Sequence, residues 1–375
     1  MSGLDIGIVG AGIGGMTAAI ALRAAGHRVT VFEQAARFSR IGADINLTPN
    51  AVHALDRLDV GDALRASAAQ PTHRISRMWD TGEETSRIEM RDAALEKYGA
   101  PQLTIHRADL LKALQEKLPA DCFRMGRKAS GLADDADGAF ARFETGEEDR
   151  FDLVIGADGI HSAIRTALFG PEHPEFTGLV SYRGTYPRAR TPDLPNLDAF
   201  TKWWGPTPDR QVVVFPLSRG EEIFVFATTG QKDWTEESWT APGDVAELRA
   251  AYSDFHPEAR ALLDALDEVT RSALYVRDPM PRWSRERVTL LGDAAHPMTP
   301  FMAQGACMAI EDAVVLSRAL EGVETAGIPE ALERYEAARK ERTAKVQIAS
   351  RGNEWLKQGG NADWLYGYDA WGTTV

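Results

Sequence analysis

The sequence predicts an α/β protein of two interleaved units, one built on a parallel sheet and one on a separate β-sheet, with a helical segment at the C-terminus. Three observations carry this. A glycine-rich turn joins an apolar strand to an Ala/Leu-rich helix near the N-terminus, two later apolar strands each run into a short acidic turn, and a stretch rich in β-branched and aromatic residues lies between those two. At 375 residues the chain exceeds the length at which one apolar core stops growing. Residues 1–75, 101–175 and 276–325 are assigned to the parallel-sheet unit, 76–100 and 176–275 to the other sheet, and 326–375 to the tail.

The bulk numbers narrow the class. Hydrophobic residues make up 44% of the chain and charged residues 26%, which are ordinary values for a globular protein. A formal net charge of −13 disfavours a surface for polyanions, so nucleic acid is not an expected partner. Cys122 and Cys307 form neither a disulfide framework nor a metal-ligand spacing, which fits a reducing cytoplasm. The N-terminus enters an apolar strand directly, without a leader pattern, and no segment is expected to meet a membrane.

The first element is a short buried strand over Leu4–Val9. It leads into Gly10-Ala11-Gly12-Ile13-Gly14-Gly15, which sets Gly10, Gly12 and Gly15 at the three glycine positions of a dinucleotide fingerprint. Gly10 serves the tight turn, Gly12 the approach of backbone to a pyrophosphate, and Gly15 the packing of helix on strand. The segment Met16–Ala25 reads as a helix that ends at Gly26 and aims its N-terminus at phosphate. An alternating strand, Arg28–Glu33, follows, and Glu33 stands eighteen residues past Gly15, where a carboxylate accepts hydrogen bonds from an adenosine ribose; Gln34 adjoins it. Strand, glycines, helix, strand and acid in that order predict a Rossmann-like unit, without separating NAD from FAD.

Two later motifs complete the pattern. The strand Phe151–Ile155 runs into Gly156-Ala157-Asp158-Gly159, and the strand Arg287–Leu291 runs into Gly292-Asp293-Ala294-Ala295-His296-Pro297. Each lies at a strand's carboxyl end, where open α/β sheets bind ligands. Pro300 to Ala313 then reads as a loop entering a helix whose first N–H groups, at Gly305 and Ala306, favour negative charge.

In these three ordered motifs the chain resembles, over nearly its whole length, the flavoprotein aromatic hydroxylases of the para-hydroxybenzoate and salicylate hydroxylase type (group A FAD-dependent monooxygenases). The resemblance implies one FAD enclosed by all three motifs. Asp293 would hold the ribityl chain, Asp158 would lie by the pyrophosphate and assist nicotinamide binding, Arg107 would touch the cofactor, and the Gly305 and Ala306 amides would face the flavin pyrimidine. NADH or NADPH would be a transient co-substrate, since no second glycine fingerprint occurs in the chain. The implied reaction is hydroxylation, with O2 and through a flavin C4a-hydroperoxide, of a small phenol, hydroxypyridine or aromatic acid. Oxidative decarboxylation of a salicylate-like acid, an FAD oxidoreductase without oxygen insertion, and an NAD-dependent dehydrogenase resting on the glycines alone stay open as alternatives.

The substrate unit is read from three strands, Leu179–Tyr186, Gln211–Leu217 and Glu222–Thr228. Lys202-Trp203-Trp204 precedes the second of them, and it either supplies an aromatic wall and a cation or belongs to the core of the sheet. Within the family, the likeness is strongest to the hydroxynicotinate-hydroxylating branch, through Lys202-Trp203-Trp204, the stretch Met302–Ala313 and the tail Trp364–Asp369. The pocket departs from that branch: Asn46, Gln211 and Phe301 stand where histidines are expected, Phe215 where a tyrosine is, and Asp44 where a glycine is. Asn46, Gln211, Phe215 and Phe301 are therefore expected to line an apolar pocket that orients the ring and excludes water. A nearby base would assist by turning a ring hydroxyl into an oxyanion. His296 is the candidate, with a ring fixed by hydrogen bonds in the Pro297 turn as its competing role.

The helix over Ile328–Trp355 pairs Glu330 with Arg334, Glu336 with Lys340 and Glu341 with Lys345 at four-residue spacing, the pattern of a solvated face. The aromatic end, Trp364–Trp371, is expected to pack on the body or on a second subunit as a homodimer.

Overall fold

In the computed structural model, residues 3–38, 44–135, 138–232, 234, 241–352, 355–358 and 360–375 are described. Two sheets dominate. The first has six strands in the order 284–285, 288–290, 153–156, 5–9, 28–33 and 123–125, all parallel except 284–285. The second has eight, in the order 241–243, 269–276, 175–187, 222–230, 211–217, 200–204, 73–78 and 84–89. Its neighbours are antiparallel except for 200–204 beside 73–78. The α/β architecture with an interleaved second sheet is thus present, because strands 73–78 and 84–89 join partners that come after residue 170 in the chain.

The glycine run is itself the first turn of a helix. Ile13–Ala24 is helical with Gly12 at its N-cap, so the helix begins earlier than its apolar pattern suggests. At its other end Gly26 has φ +92°, the Gly26 N–H donates to Arg23 O, and the His27 N–H donates to Leu22 O. This double bond pattern is the glycine stop of a helix. The helix packs on Gly305–Ala319 within an apolar core that holds Ile6, Ile8, Met16, Leu22, Val154, Leu290, Ile310 and Val314.

The eight-stranded sheet has two unlike faces, as strand alternation requires. One face carries Tyr182, Trp203, Val212, Val214 and Val225 against Leu248, Leu262 and Leu263 of the helices Val245–Ala251 and Pro257–Asp264. The other carries Phe200, Phe215, Phe224 and Phe226 and meets Phe301 of the parallel-sheet unit. Lys202-Trp203-Trp204, which precedes the strand Gln211–Leu217, is itself part of a strand of the same sheet, Phe200–Trp204.

The long C-terminal helix, Ile328–Arg351, keeps Glu330, Arg334, Glu341 and Lys345 exposed, as a solvated face requires, and packs its other side into the protein. It buries Leu332, Tyr335, Arg339, Val346 and Gln347. Of the three expected pairs, Glu336 and Lys340 meet at 3.2 Å, whereas Arg334 donates to Ala319 O and Lys345 lies over the Trp364 ring. Glu336 also accepts from the backbone N–H groups of Trp283 and Ser284. The aromatic tail packs on its own chain: the Trp371 indole donates to Ala54 O, and Trp355 meets Trp364 edge-on at 5.8 Å. No helix among the described residues is long and apolar enough to cross a membrane.

Candidate active site

Strands 5–9, 153–156 and 288–290 are neighbours and parallel, so their three motifs emerge at one edge of one sheet. Backbone bonds continue past the strands, from Ala157 N–H to Val9 O at 2.8 Å and from Leu291 N–H to Gly156 O at 2.9 Å. At Gly10, with φ +109°, an added Cβ would lie 2.3 Å from Ala157 O, so the first and second motifs touch there. A Cβ at Gly15 would fall 2.0 Å from Gly10 O, and one at Gly14 would fall 2.6 Å from Leu291 Cδ2. At Gly12 nothing lies within 4 Å. Three of the glycines are thus required by packing, and Gly12 faces open space at a helix N-terminus, the arrangement that suits an incoming pyrophosphate.

Around this edge stand the charged residues. Glu33 accepts from Ala11 N–H at 3.1 Å and from Ala35 N–H at 2.9 Å, tying the glycine loop to the second strand, and Gln34 is exposed in the turn beyond. Asp158 accepts from the Ser162 hydroxyl at 2.5 Å and from the N–H groups of Ala163 and Ile164, which caps the helix Ala163–Phe169. Burial still pushes its carboxyl above the ordinary range. Asp293 is reachable from solvent yet walled by protein, and desolvation raises its pKa too, against the pull of His296 and Arg107. Arg107 is the first residue of the helix Arg107–Gln115; burial lowers its pKa, and the charges of Asp293 and Glu33 oppose that. Gly305 opens the helix Gly305–Ala319, and a Cβ on it would sit 3.8 Å from Asp293 Oδ1. Arg165, 4% exposed, donates to Ala294 O at 3.3 Å and locks the second motif to the third. These residues suit a dinucleotide in their chemistry: a bare glycine turn, an acid at the end of the second strand, and a cation and a carboxylate near a helix N-terminus.

The substrate side is the inner face of the eight-stranded sheet. Trp204 pairs with Gln211 and Lys202 with Val213, so Lys202, Trp204 and Gln211 share that face with Phe200 and Phe215. Phe215 stacks on Phe200 at 5.1 Å and meets Phe224 at 4.8 Å. The amine of Lys202 lies 3.7 Å from the Trp204 ring centroid and 5.7 Å from that of Phe301. The two readings of the Lys-Trp-Trp run divide between the tryptophans: Trp203 points to the opposite face, under the Arg77 guanidinium at 4.2 Å, while Trp204 is on the inner face. Asn46, on the strand Ile45–Leu47, accepts from the Gln102 amide at 2.8 Å, and its own Nδ2 meets no partner among the described residues. Gln211 is 1% exposed with both amide atoms unpartnered there. Thr104 donates to Pro216 O at 2.6 Å and pins this sheet to the strand Leu103–Ile105 beside Asn46.

The His296 ring is held by a partner other than the Pro297 turn, and its Nδ1 is buried without a partner among the described residues. Its Nε2 is 2.5 Å from Asp312 Oδ2, and Trp283 covers the ring at 5.2 Å. Asp312 also accepts from Gly292 N–H at 3.1 Å and from Arg339 Nε at 2.8 Å. A second chain of contacts runs from Thr48 and Gln304 through Asn50, whose amide donates to both Gln304 and Glu311, and Arg342 grips Glu311 with two bonds. Sequence reading missed this network. Its signal was available: Glu311-Asp312 is an acidic pair in an apolar helix, and Arg339 falls on the buried stripe of Leu332, Tyr335 and Val346.

The FAD binding domain family matches residues 3–350. The chain is 38% identical over 98% of its length to a 6-hydroxynicotinate 3-monooxygenase of Bordetella bronchiseptica, covering 95% of that protein. It is 40% identical over 97% of its length to the Pseudomonas fluorescens enzyme of the same name, covering 94%. A salicylate hydroxylase substrate complex superimposes with a TM-score of 0.85 at 26% identity, over 98% of this chain and 96% of that one.

Proposed function

The chain belongs to the FAD-dependent aromatic hydroxylases, NAD(P)H-consuming monooxygenases of small aromatic and heteroaromatic rings, and from that membership we propose that its substrate is a hydroxylated ring of the hydroxypyridine or hydroxybenzoate type. Likeness to the 6-hydroxynicotinate 3-monooxygenases supports the ring class. The observation that carries the site is the phenylalanine-lined inner face of the eight-stranded sheet, closed by Phe301, with the orphaned amides of Gln211 and Asn46.

We assign the cofactor to Gly10, Gly12, Gly14, Gly15, Glu33, Gln34, Arg107, Asp158, Asp293, Gly305 and Ala306. Bound FAD would relay the reducing equivalents of NAD(P)H to O2 and so supply the activated oxygen. The protein's own share is positional. Phe215 and Phe301 hold the ring flat and keep water out, and the two amides fix its polar substituents, since a buried amide without a partner costs about 1–3 kcal/mol until a ligand pairs it. His296 and Asp312 hold the Asp293 turn in place. Residues 176–275 serve as the main substrate-binding segment.

The test is a panel of hydroxypyridines and hydroxybenzoates scored for stimulated NAD(P)H oxidation, product mass and peroxide release. One added oxygen is the expected product, and loss of CO2 would mark the decarboxylating reaction instead. Phe215→Ala and Asn46→Ala should each raise peroxide release at least several-fold. Unchanged turnover and peroxide yield in both variants would move the ring to another part of the molecule.

A further inference from the structure

We propose that Lys202 is the base of this enzyme: on binding, its amine takes the proton of a ring hydroxyl and holds the resulting oxyanion as an ion pair. The proposal rests on the ring-hydroxylation reading and names a catalytic group for it.

Position comes first. Lys202 is in the middle of a strand and only 3% exposed, on the face that carries Phe200, Phe215 and Trp204. Long charged side chains usually reach for water, and a lysine held in such surroundings is uncommon. Its Nζ lies 3.7 Å from the Trp204 ring centroid, on the substrate sheet, and 5.7 Å from that of Phe301, on the segment that follows the Asp293 turn. Gln211, paired directly across from Trp204, adds an amide whose nitrogen and oxygen are both buried without partners among the described residues.

Charge decides the protonation state. Arg74 bears on Lys202 from the adjacent strand, where it lies over Phe200 at 4.6 Å and donates to the Tyr366 hydroxyl. Lys357 bears on it from the C-terminal segment, with its own amine 5.6 Å from the same Trp204 ring. Burial and these two cations all disfavour a further positive charge, and they hold the amine well below the ordinary lysine range. A neutral amine is an acceptor, the form in which buried lysines act as bases.

The step balances simply. The ring O–H bond breaks and an N–H bond forms on Lys202, with no change of oxidation state. The ammonium then finds the Trp204 face at 3.7 Å, and the oxyanion finds both this ammonium and the Gln211 N–H. The ring gains the electron density that attack by an electrophilic oxygen requires. After the ring is hydroxylated, the product's oxyanion recovers the proton and the amine returns to its neutral state. This also accounts for a pocket that lacks histidine and tyrosine at 46, 211, 215 and 301.

The experiment uses oxidised holoenzyme without NAD(P)H and 4-nitrophenol as the probe. Difference spectra report phenolate, and calorimetry in two buffers of unlike ionisation enthalpy reports protons released. The expected result is at least a tenfold excess of bound phenolate over the free probe one pH unit below the probe's own pKa, with no proton released to the buffer. Lys202→Met, with its flavin absorbance intact, should bind the neutral phenol. Lys202→Arg, which stays charged, should bind phenolate and release about one proton. Release of one proton by the native enzyme would show a fixed cation and overturn the assignment, as would phenolate binding that survives Lys202→Met. A native enzyme that leaves the probe's spectrum unchanged while hydroxypyridines still stimulate NAD(P)H oxidation would overturn the base and leave the monooxygenase reading standing.

Discussion

Single positions in the glycine loop separate folding from binding. Gly15 has no room for a methyl group, because a Cβ would stand 2.0 Å from Gly10 O, so Gly15→Ala should destabilise the fold by more than about 2 kcal/mol in thermal or denaturant unfolding. Gly12 has open space, so Gly12→Val should melt close to the native apoprotein yet purify colourless, its side chain filling the place of the pyrophosphate. Asp44 gives a residue-scale test in pH. Burial lifts its carboxyl to about 6, against the opposing pull of Arg183 and His106. A raised folded-state pKa adds stability below the unfolded value near 4 and forfeits it as pH climbs through 6. Asp44→Asn should therefore match the native protein in acid and exceed it above pH 6, by an order of 1–2 kcal/mol in melts taken across that range.

Among the elements, the helices Gly305–Ala319 and Ile328–Arg351 are joined by buried charge. Asp312 binds His296, Arg339 and the Gly292 N–H at once, so it fixes the turn that presents Asp293. Burial by itself would raise its carboxyl, but His296 and Arg339 outweigh that and hold it below the usual range. Removing one member leaves the others uncompensated, at a cost of roughly 3–5 kcal/mol. Asp312→Ala should lower the melting temperature and weaken FAD binding at least tenfold in a fluorescence titration, although Asp312 is placed to touch the turn and not the cofactor. The fold and the meeting of three motifs at one sheet edge were legible in sequence, because Gly10–Gly15, Glu33, Asp158 and Asp293 announce themselves by local spacing and strand context. The sequence marked Glu311, Asp312 and Arg339 as charges on apolar helix faces, but the partners they join and the position of Lys202 depend on contacts between residues far apart in the chain. The division of Trp203 from Trp204 needed only the knowledge that both lie within one strand, and the aromatic run concealed where that strand begins.

At the scale of the molecule, the C-terminal segment is a wall of the substrate unit. Leu356 and Lys357 accept through their carbonyls from Ser76 and Thr85 at the edge of the eight-stranded sheet, and Arg342 donates to the Trp364 and Leu365 carbonyls. Ending the chain at residue 354 should leave a yellow protein whose peroxide yield per NAD(P)H rises several-fold, measured by oxygen uptake with and without catalase. The parallel sheet carries a different implication, one of timing. The strand 288–290 lies against 153–156, yet it is made long after it, at about 5–20 residues per second on the ribosome. An emerging polypeptide therefore exposes an unfinished sheet edge through most of its synthesis, and the vitamin-derived cofactor has its full seat only once the last quarter has been translated.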